Sequence, residues 1–113
     1  MLIIVETKKL KPTEEIVSSR LPEVEKALGL NPKKWPPVMV SSEDFLLDGH
    51  HRRAIAMKYG FEHLNALKLD YADEGLEVFD YQTGETLDKN TLLTIYKSGV
   101  VLKPKTTRHI LNK

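Results

Sequence analysis

Leu46-Leu47-Asp48-Gly49-His50-His51-Arg52-Arg53-Ala54-Ile55-Ala56 is the stretch on which the reading of this chain turns. Leu46-Leu47 ends a short apolar run that reads as a strand, Gly49 allows a tight turn after Asp48, and a helix opens at His50. A helix N-terminus offers unpaired backbone N–H groups and a partial positive charge. His50, His51 and Arg52 at that point make a seat for a phosphate. Polar residues crowd the exposed first turn of many helices, so a lone His-Arg pair would carry little. Four consecutive cationic or titratable side chains behind a strand-end Asp-Gly carry more. Asp48 could hold a metal ion or a water beside that phosphate. Zinc is disfavoured, because adjacent histidines in a helix chelate poorly and no third ligand stands out.

Working outward, Leu2 to Glu6 is apolar and largely β-branched, which predicts a buried first strand. Lys8 to Pro12 reads as a polar connection. Pro12 suits the start of a helix, and Thr13-Glu14-Glu15 supplies a cap with acids in the first turn. Ile16, Val17, Leu21, Val24 and Leu28 recur near a helical period. Pro22 interrupts them, predicting two short helices or one that breaks near Arg20. Gly29 reads as a C-terminal cap. After a Pro-rich connection containing Trp35, Val38-Met39-Val40 reads as a strand, and Phe45-Leu46-Leu47 returns as its hairpin partner beyond a turn at 41–44. Gly60 stops the central helix, and the segment from Leu64 to Leu69 is another strand.

Beyond Tyr71 the pattern changes. Glu77 to Tyr81, a turn at 82–85 and Thr86-Leu87 predict a short hairpin. Asp88 caps a helix carrying Leu92, Leu93, Ile95 and Tyr96 that ends at Gly99. Val100-Val101-Leu102 reads as a final strand, and residues 103–109 as a basic, polar loop. The expected class is α/β or α+β: one small domain over 1–113, with a mixed sheet flanked by helices, divided into a core at 1–70 and a C-terminal hairpin, helix and loop at 71–113.

Composition narrows the function. Seventeen Lys+Arg against sixteen Asp+Glu leave a formal charge of +1, which argues against a non-specific nucleic-acid binder. The chain has no cysteine, so disulfides, thiolate metal sites and cysteine nucleophiles are excluded. The first residues do not read as a signal peptide, and no apolar run approaches the length of a membrane span. A cytoplasmic protein without membrane association is the expectation.

Two further segments could carry chemistry. Lys103-Pro104-Lys105-Thr106-Thr107-Arg108-His109 alternates hydroxyls with cations, a composition suited to a carboxylate or phosphate. With the Asp48–Arg52 turn it suggests a ligand with two anionic ends. Pro12-Thr13-Glu14-Glu15 needs no function beyond helix capping, although one carboxylate could serve as a general base. Trp35 and Tyr96 could stack on a nucleotide base, but a lone aromatic in a small domain is ordinarily core.

Taken together, these residues resemble the ParB/sulfiredoxin-like fold across about residues 2–70. ParB-type domains carry Gly-Glu-Arg-Arg at the central turn, where this chain has Gly49-His50-His51-Arg52. The Asp-Gly-His-His-Arg variant is similar to the free serine kinases, a ParB-like family that phosphorylates L-serine. Three matches in order carry that resemblance: Lys11-Pro12-Thr13-Glu14, Asp48-Gly49-His50-His51-Arg52 and Pro104-Lys105-Thr106-Thr107-Arg108-His109. Members of that family carry a second lobe where this chain has only residues 71–87, so the resemblance implies a shortened member, with oligomerisation one way to replace the missing walls.

The resemblance implies phosphoryl transfer from ADP or ATP, with Mg²⁺, to the hydroxyl of L-serine or a similar small compound, giving O-phospho-L-serine. Glu14 would be the general base, approaching from the first helix, and Asp48 would assist, through Mg²⁺ or the transferred phosphoryl group. Gly49, His50, His51 and Arg52 would cradle nucleotide phosphates. Thr106, Thr107, Arg108 and His109 would hold the substrate's carboxylate and amine. The alternative is a ParB-like nucleotide-hydrolysing or DNA-binding/nuclease module. Nothing after residue 70 reads as a helix-turn-helix, which weighs against DNA. Sulfiredoxin-type repair needs a cysteine that the chain lacks.

Overall fold

A computed structural model describes residues 1–111. The central strands arise from runs that are apolar on both sides. In β4 (Phe45–Asp48), Phe45 and Leu47 face one core while Leu46 faces another. β3 (Val38–Ser41) divides in the same way, with Val38 and Val40 on one side and Met39 on the other. A strand covered on both faces reads as a continuous apolar run rather than an alternating one.

Five strands form a mixed sheet. Its order is β1 (Leu2–Glu6), β5 (His63–Leu69), β3, β4 and β2 (Lys11–Pro12). β1–β5 and β3–β4 are antiparallel, whereas β3–β5 and β2–β4 are parallel. α1 (Leu21–Leu28) and α2 (His50–Tyr59) cover one face, where Ile55, Ala56, Val24 and Leu28 pack against Val38, Val40, Leu46 and Ala66. The other face carries α3 (Lys89–Lys97) and a two-stranded sheet of β6 (Leu76–Asp80) with β7 (Thr107–Leu111). Leu76, Val78, Leu92 and Tyr96 there pack on Phe45, Leu47 and Leu69. The mixed-sheet expectation therefore holds, as one domain. Among the described residues no helix is long and apolar enough to cross a membrane.

The expected burial of β1 does not hold: it is an edge strand whose Leu2 and Ile4 are exposed. Two further segments depart from the sequence expectation. No helix starts at Pro12: Lys11 and Pro12 pair with Phe45 and Leu46 at the sheet edge, where a residue without an N–H is tolerated. The Thr13 hydroxyl donates to the Leu46 carbonyl at 2.6 Å instead of capping a turn. The helix begins only at Leu21, with Pro22 in its first turn, where no intrahelical N–H is required. Glu14 therefore lies on extended chain, bridged to Leu102, rather than on a helix.

The second departure is at the far end. Val100 to Leu102 forms no strand beyond the single Leu102 bridge, and the expected loop at 107–109 is instead part of β7. The expected hairpin of 77–81 with 86–87 is reduced to a bridge between Phe79 and Thr86, and β6 takes β7 as its main partner. Alternation explains the strand: Thr107 and His109 face inward and are buried, while Arg108 between them is exposed.

Candidate active site

The Asp48–Gly49 turn has one backbone solution. Gly49 sits at φ +103°, and a Cβ there would stand 2.4 Å from Val38 Cγ1. Only glycine fits both the left-handed conformation and the contact. α2 starts at the next residue, which leaves its first-turn N–H groups without intrahelical partners, and Asp48 to Arg52 all line the cleft.

The side chains after Gly49 are largely committed to the protein itself. His50 Nε2 accepts hydrogen bonds from the backbone N–H groups of Thr13 and Glu14, each at 3.1 Å. His51 Nε2 accepts from the Val17 N–H at 3.1 Å. Both rings must therefore be neutral at Nε2, and burial lowers both pKa values, that of His50 to about 4. Arg52 donates to the Pro36 and Pro37 carbonyls at 2.7 and 3.0 Å and meets Asp48 Oδ2 at 3.4 Å. The two histidines thus fasten the extended 13–17 segment to α2, and Arg52 fastens the Pro-rich loop. The Asp48 side chain stays 60% exposed at the cleft.

What that fastening positions is Glu14. The residue is only 8% exposed. Its Oε2 accepts from the Thr107 hydroxyl at 2.6 Å and from the Thr107 N–H at 3.1 Å. Backbone bonds hold the two chain segments together on either side: Leu102 N–H to the Thr13 carbonyl at 2.8 Å, and Glu15 N–H to the Leu102 carbonyl at 2.7 Å. Glu14, Asp48, Gly49 and Thr107 line one cleft of about 390 Å³.

The remaining members of the terminal motif lie elsewhere. The Thr106 hydroxyl donates to the Lys103 carbonyl at 2.6 Å. Arg108 is exposed and does not line the cleft. His109 is buried with Nε2 2.6 Å from the Tyr71 hydroxyl, its Nδ1 is without a hydrogen-bond partner, and burial lowers its pKa to about 4. Trp35 and Tyr96 are core residues, 4% and 3% exposed. Sequence reasoning missed Arg20, Tyr81 and Lys105, which line the cleft. Lys105 lies inside a motif already noted for its charge, whereas nothing local marks Arg20 or Tyr81.

No family model matches the chain. An ATP-dependent L-serine kinase of Staphylothermus marinus is 28% identical over 104 residues, covering 87% of this chain. The chain spans only 41% of that curated relative's length. A solved free serine kinase in complex with AMP superposes with a TM-score of 0.75 at 18% identity, covering 97% of this chain and 87% of that one. A Pnob8-like ParB N-domain matches at 25% identity and a TM-score of 0.51, covering 88% of this chain and 43% of that one. This chain has a ParB/sulfiredoxin-like fold. In that fold the Gly49 turn and the Glu14 segment come together because β2 and β4, which carry them, run side by side in parallel.

The half-buried imidazole of His50 and the buried one of His109 give this ParB-like domain an acid-sensitive window. His50 and His109 are held near 4 in the folded chain, against an ordinary 6.5. Between those values the unfolded chain binds the protons, so stability is fully present above about pH 6.5 and is lost as the pH falls toward 4. Denaturant unfolding at pH 7.0 and 4.5 should show a loss on the order of 2 kcal/mol or more. NMR titration of the imidazole Cε1 protons assigns it, and two rings titrating near 6.5 would contradict the geometry.

Proposed function

We propose that the chain is a small-molecule kinase that transfers a phosphoryl group from ADP or ATP to the hydroxyl of free L-serine or a close analogue. The observation that carries this reading is the pairing of the buried Glu14 carboxylate with Thr107, in the cleft that also contains the Asp48–Gly49 turn. Phosphoryl transfer needs positioning and charge neutralisation more than covalent chemistry. Glu14 takes the proton of the acceptor hydroxyl, the oxygen forms a bond to the terminal phosphorus, and AMP or ADP leaves. Similarity to the L-serine kinase and to the AMP-bound structure supports the same reading.

Among the described residues there is no group of three acidic or histidine side chains able to hold a metal. Mg²⁺ suits a site of another kind, one protein carboxylate completed by nucleotide phosphates and water, and the exposed Asp48 carboxylate fits it. Bound there, the ion would neutralise phosphate charge. In this reading Gly49 and the first-turn N–H groups of α2 receive the phosphates, His50 and His51 set the position of the Glu14 segment, and Thr107 orients Glu14.

Incubation with ATP or ADP, Mg²⁺ and L-serine, followed by mass spectrometry, should yield O-phospho-L-serine. Absence of a phosphorylated product with a panel of hydroxylated amino acids overturns the proposal. Likeness to the ParB N-domain supports the alternative of a nucleotide-hydrolysing or DNA-binding module. Nucleotide hydrolysis without an acceptor, or DNA affinity falling steeply with salt, is the result that reading requires.

A further inference from the structure

We propose that Lys105 and Arg20 form the subsite for the carboxylate of an α-amino-acid acceptor. The inference rests on the kinase reading and names the groups that select the acceptor. Both side chains line the cleft that contains Glu14 and Asp48. Of the central motif's cationic or titratable side chains, Arg52 is bonded to two carbonyls and Asp48, the two histidines act as neutral acceptors, and Arg53, whose buried Nε has no hydrogen-bond partner among the described residues, does not line this cleft. Arg108 is exposed outside the cleft wall.

Lys105 is held in place by an unusual backbone. Its φ is +55°, one of two positive values at non-glycine residues among those described. Such a conformation is disfavoured for a lysine and persists where the surroundings impose it. Here the Thr106 hydroxyl closes the turn onto the Lys103 carbonyl, and the chain then runs into Thr107 and its bond to Glu14. Lys105 Nζ rests 5.7 Å from the centroid of the Tyr81 ring, and among the described residues it has no carboxylate within ion-pair distance.

Arg20 ends the turn Ser18–Arg20, whose preceding residue, Val17, is pinned by His51. Among the described residues its one ion pair is an exposed 4.0 Å contact with Glu23, too weak to hold it from a ligand. Arg20, Lys105 and His51 line the same cleft, and both cations add to the lowering of the His51 pKa. An acceptor whose hydroxyl reaches Glu14 carries its carboxylate only a few bonds away. Lys105, two residues from the threonine that touches Glu14, is placed to meet it, while the phosphate donor takes the Gly49 turn.

The test measures kcat/KM with ATP and Mg²⁺ for L-serine and for serinamide, which lacks the carboxylate. Wild type, Lys105→Met, Arg20→Met and Arg108→Met are compared after thermal melts confirm folding. Lys105→Met should reduce the preference for serine about tenfold or more, chiefly through KM, and Arg20→Met should act in the same direction. An equal loss on both substrates, or collapse of the preference only in Arg108→Met, overturns the proposal. A calorimetric arm titrates L-serine into the AMP-loaded protein. Wild-type binding that Lys105→Met abolishes upholds the subsite even if no transfer occurs, and that combination defeats the kinase reading alone.

Discussion

Glu14→Gln should lower phosphoryl transfer by about 10²–10⁴-fold while leaving nucleotide affinity little changed. Glutamine keeps an oxygen that can accept the Thr107 hydroxyl and N–H, so the segment and β7 stay joined. What it removes is the basic carboxylate that, in the proposed mechanism, takes the acceptor's proton. The proposed nucleotide seat is Asp48, Gly49 and the start of α2, none of which is hydrogen-bonded to the Glu14 carboxylate. Single-turnover assays alongside nucleotide titration separate the two effects. Transfer at the wild-type rate would remove Glu14 from its role, and a parallel loss of nucleotide binding would show that the substitution disturbed the cleft.

Gly49→Ala should be the most damaging single-methyl change in the chain. The added Cβ meets Val38 Cγ1 at 2.4 Å and Val38 Cβ at 2.9 Å, and the φ of +103° is unfavourable for any L side chain. Val38 is 1% exposed in the first core and cannot withdraw. Backbone strain and overpacking each cost about 1–3 kcal/mol, so a loss of about 3 kcal/mol or more is expected. For a domain of this size the melting temperature should fall by about 10 °C or more. Gly60→Ala is the control: that residue is also left-handed, but a Cβ there meets nothing within 4 Å. It should cost clearly less, and equal losses would mean that the Val38 contact is not decisive.

The parts of the fold legible in the sequence are those whose signals are local. β3, β4, the Gly49 turn, α2 and β5 follow from apolar runs punctuated by glycine, and α3 from an Asp88 whose side chain accepts from the Asn90 N–H. The segment from Pro12 to Val17 was illegible because its N–H groups find partners at His50, His51 and Leu102. No local pattern announces such partners, and helix capping was the best local account of Thr13-Glu14-Glu15. β7 was hidden by composition, since a basic loop and a strand alternating Thr107, Arg108 and His109 look alike until a partner strand is known. Motif resemblance pointed to Glu14, Asp48 and Thr107 together, but it could not say which cations are free. That depends on carbonyls such as those of Pro36 and Pro37, which no side-chain pattern records.

The bond between Glu14 and Thr107 joins residues 93 positions apart in the chain. Closing a loop of that length costs about 4 kcal/mol of chain entropy before any contact repays it. By that cost, contacts of such long range are disfavoured early in folding relative to a local hairpin such as β3–β4. The Glu14 carboxylate thus takes its partner from a segment at the far end of the described chain. In the proposed kinase, the turn that would seat the nucleotide rests on contacts between Gly49, Val38 and Arg52, whereas the surroundings of the proposed base depend on β7.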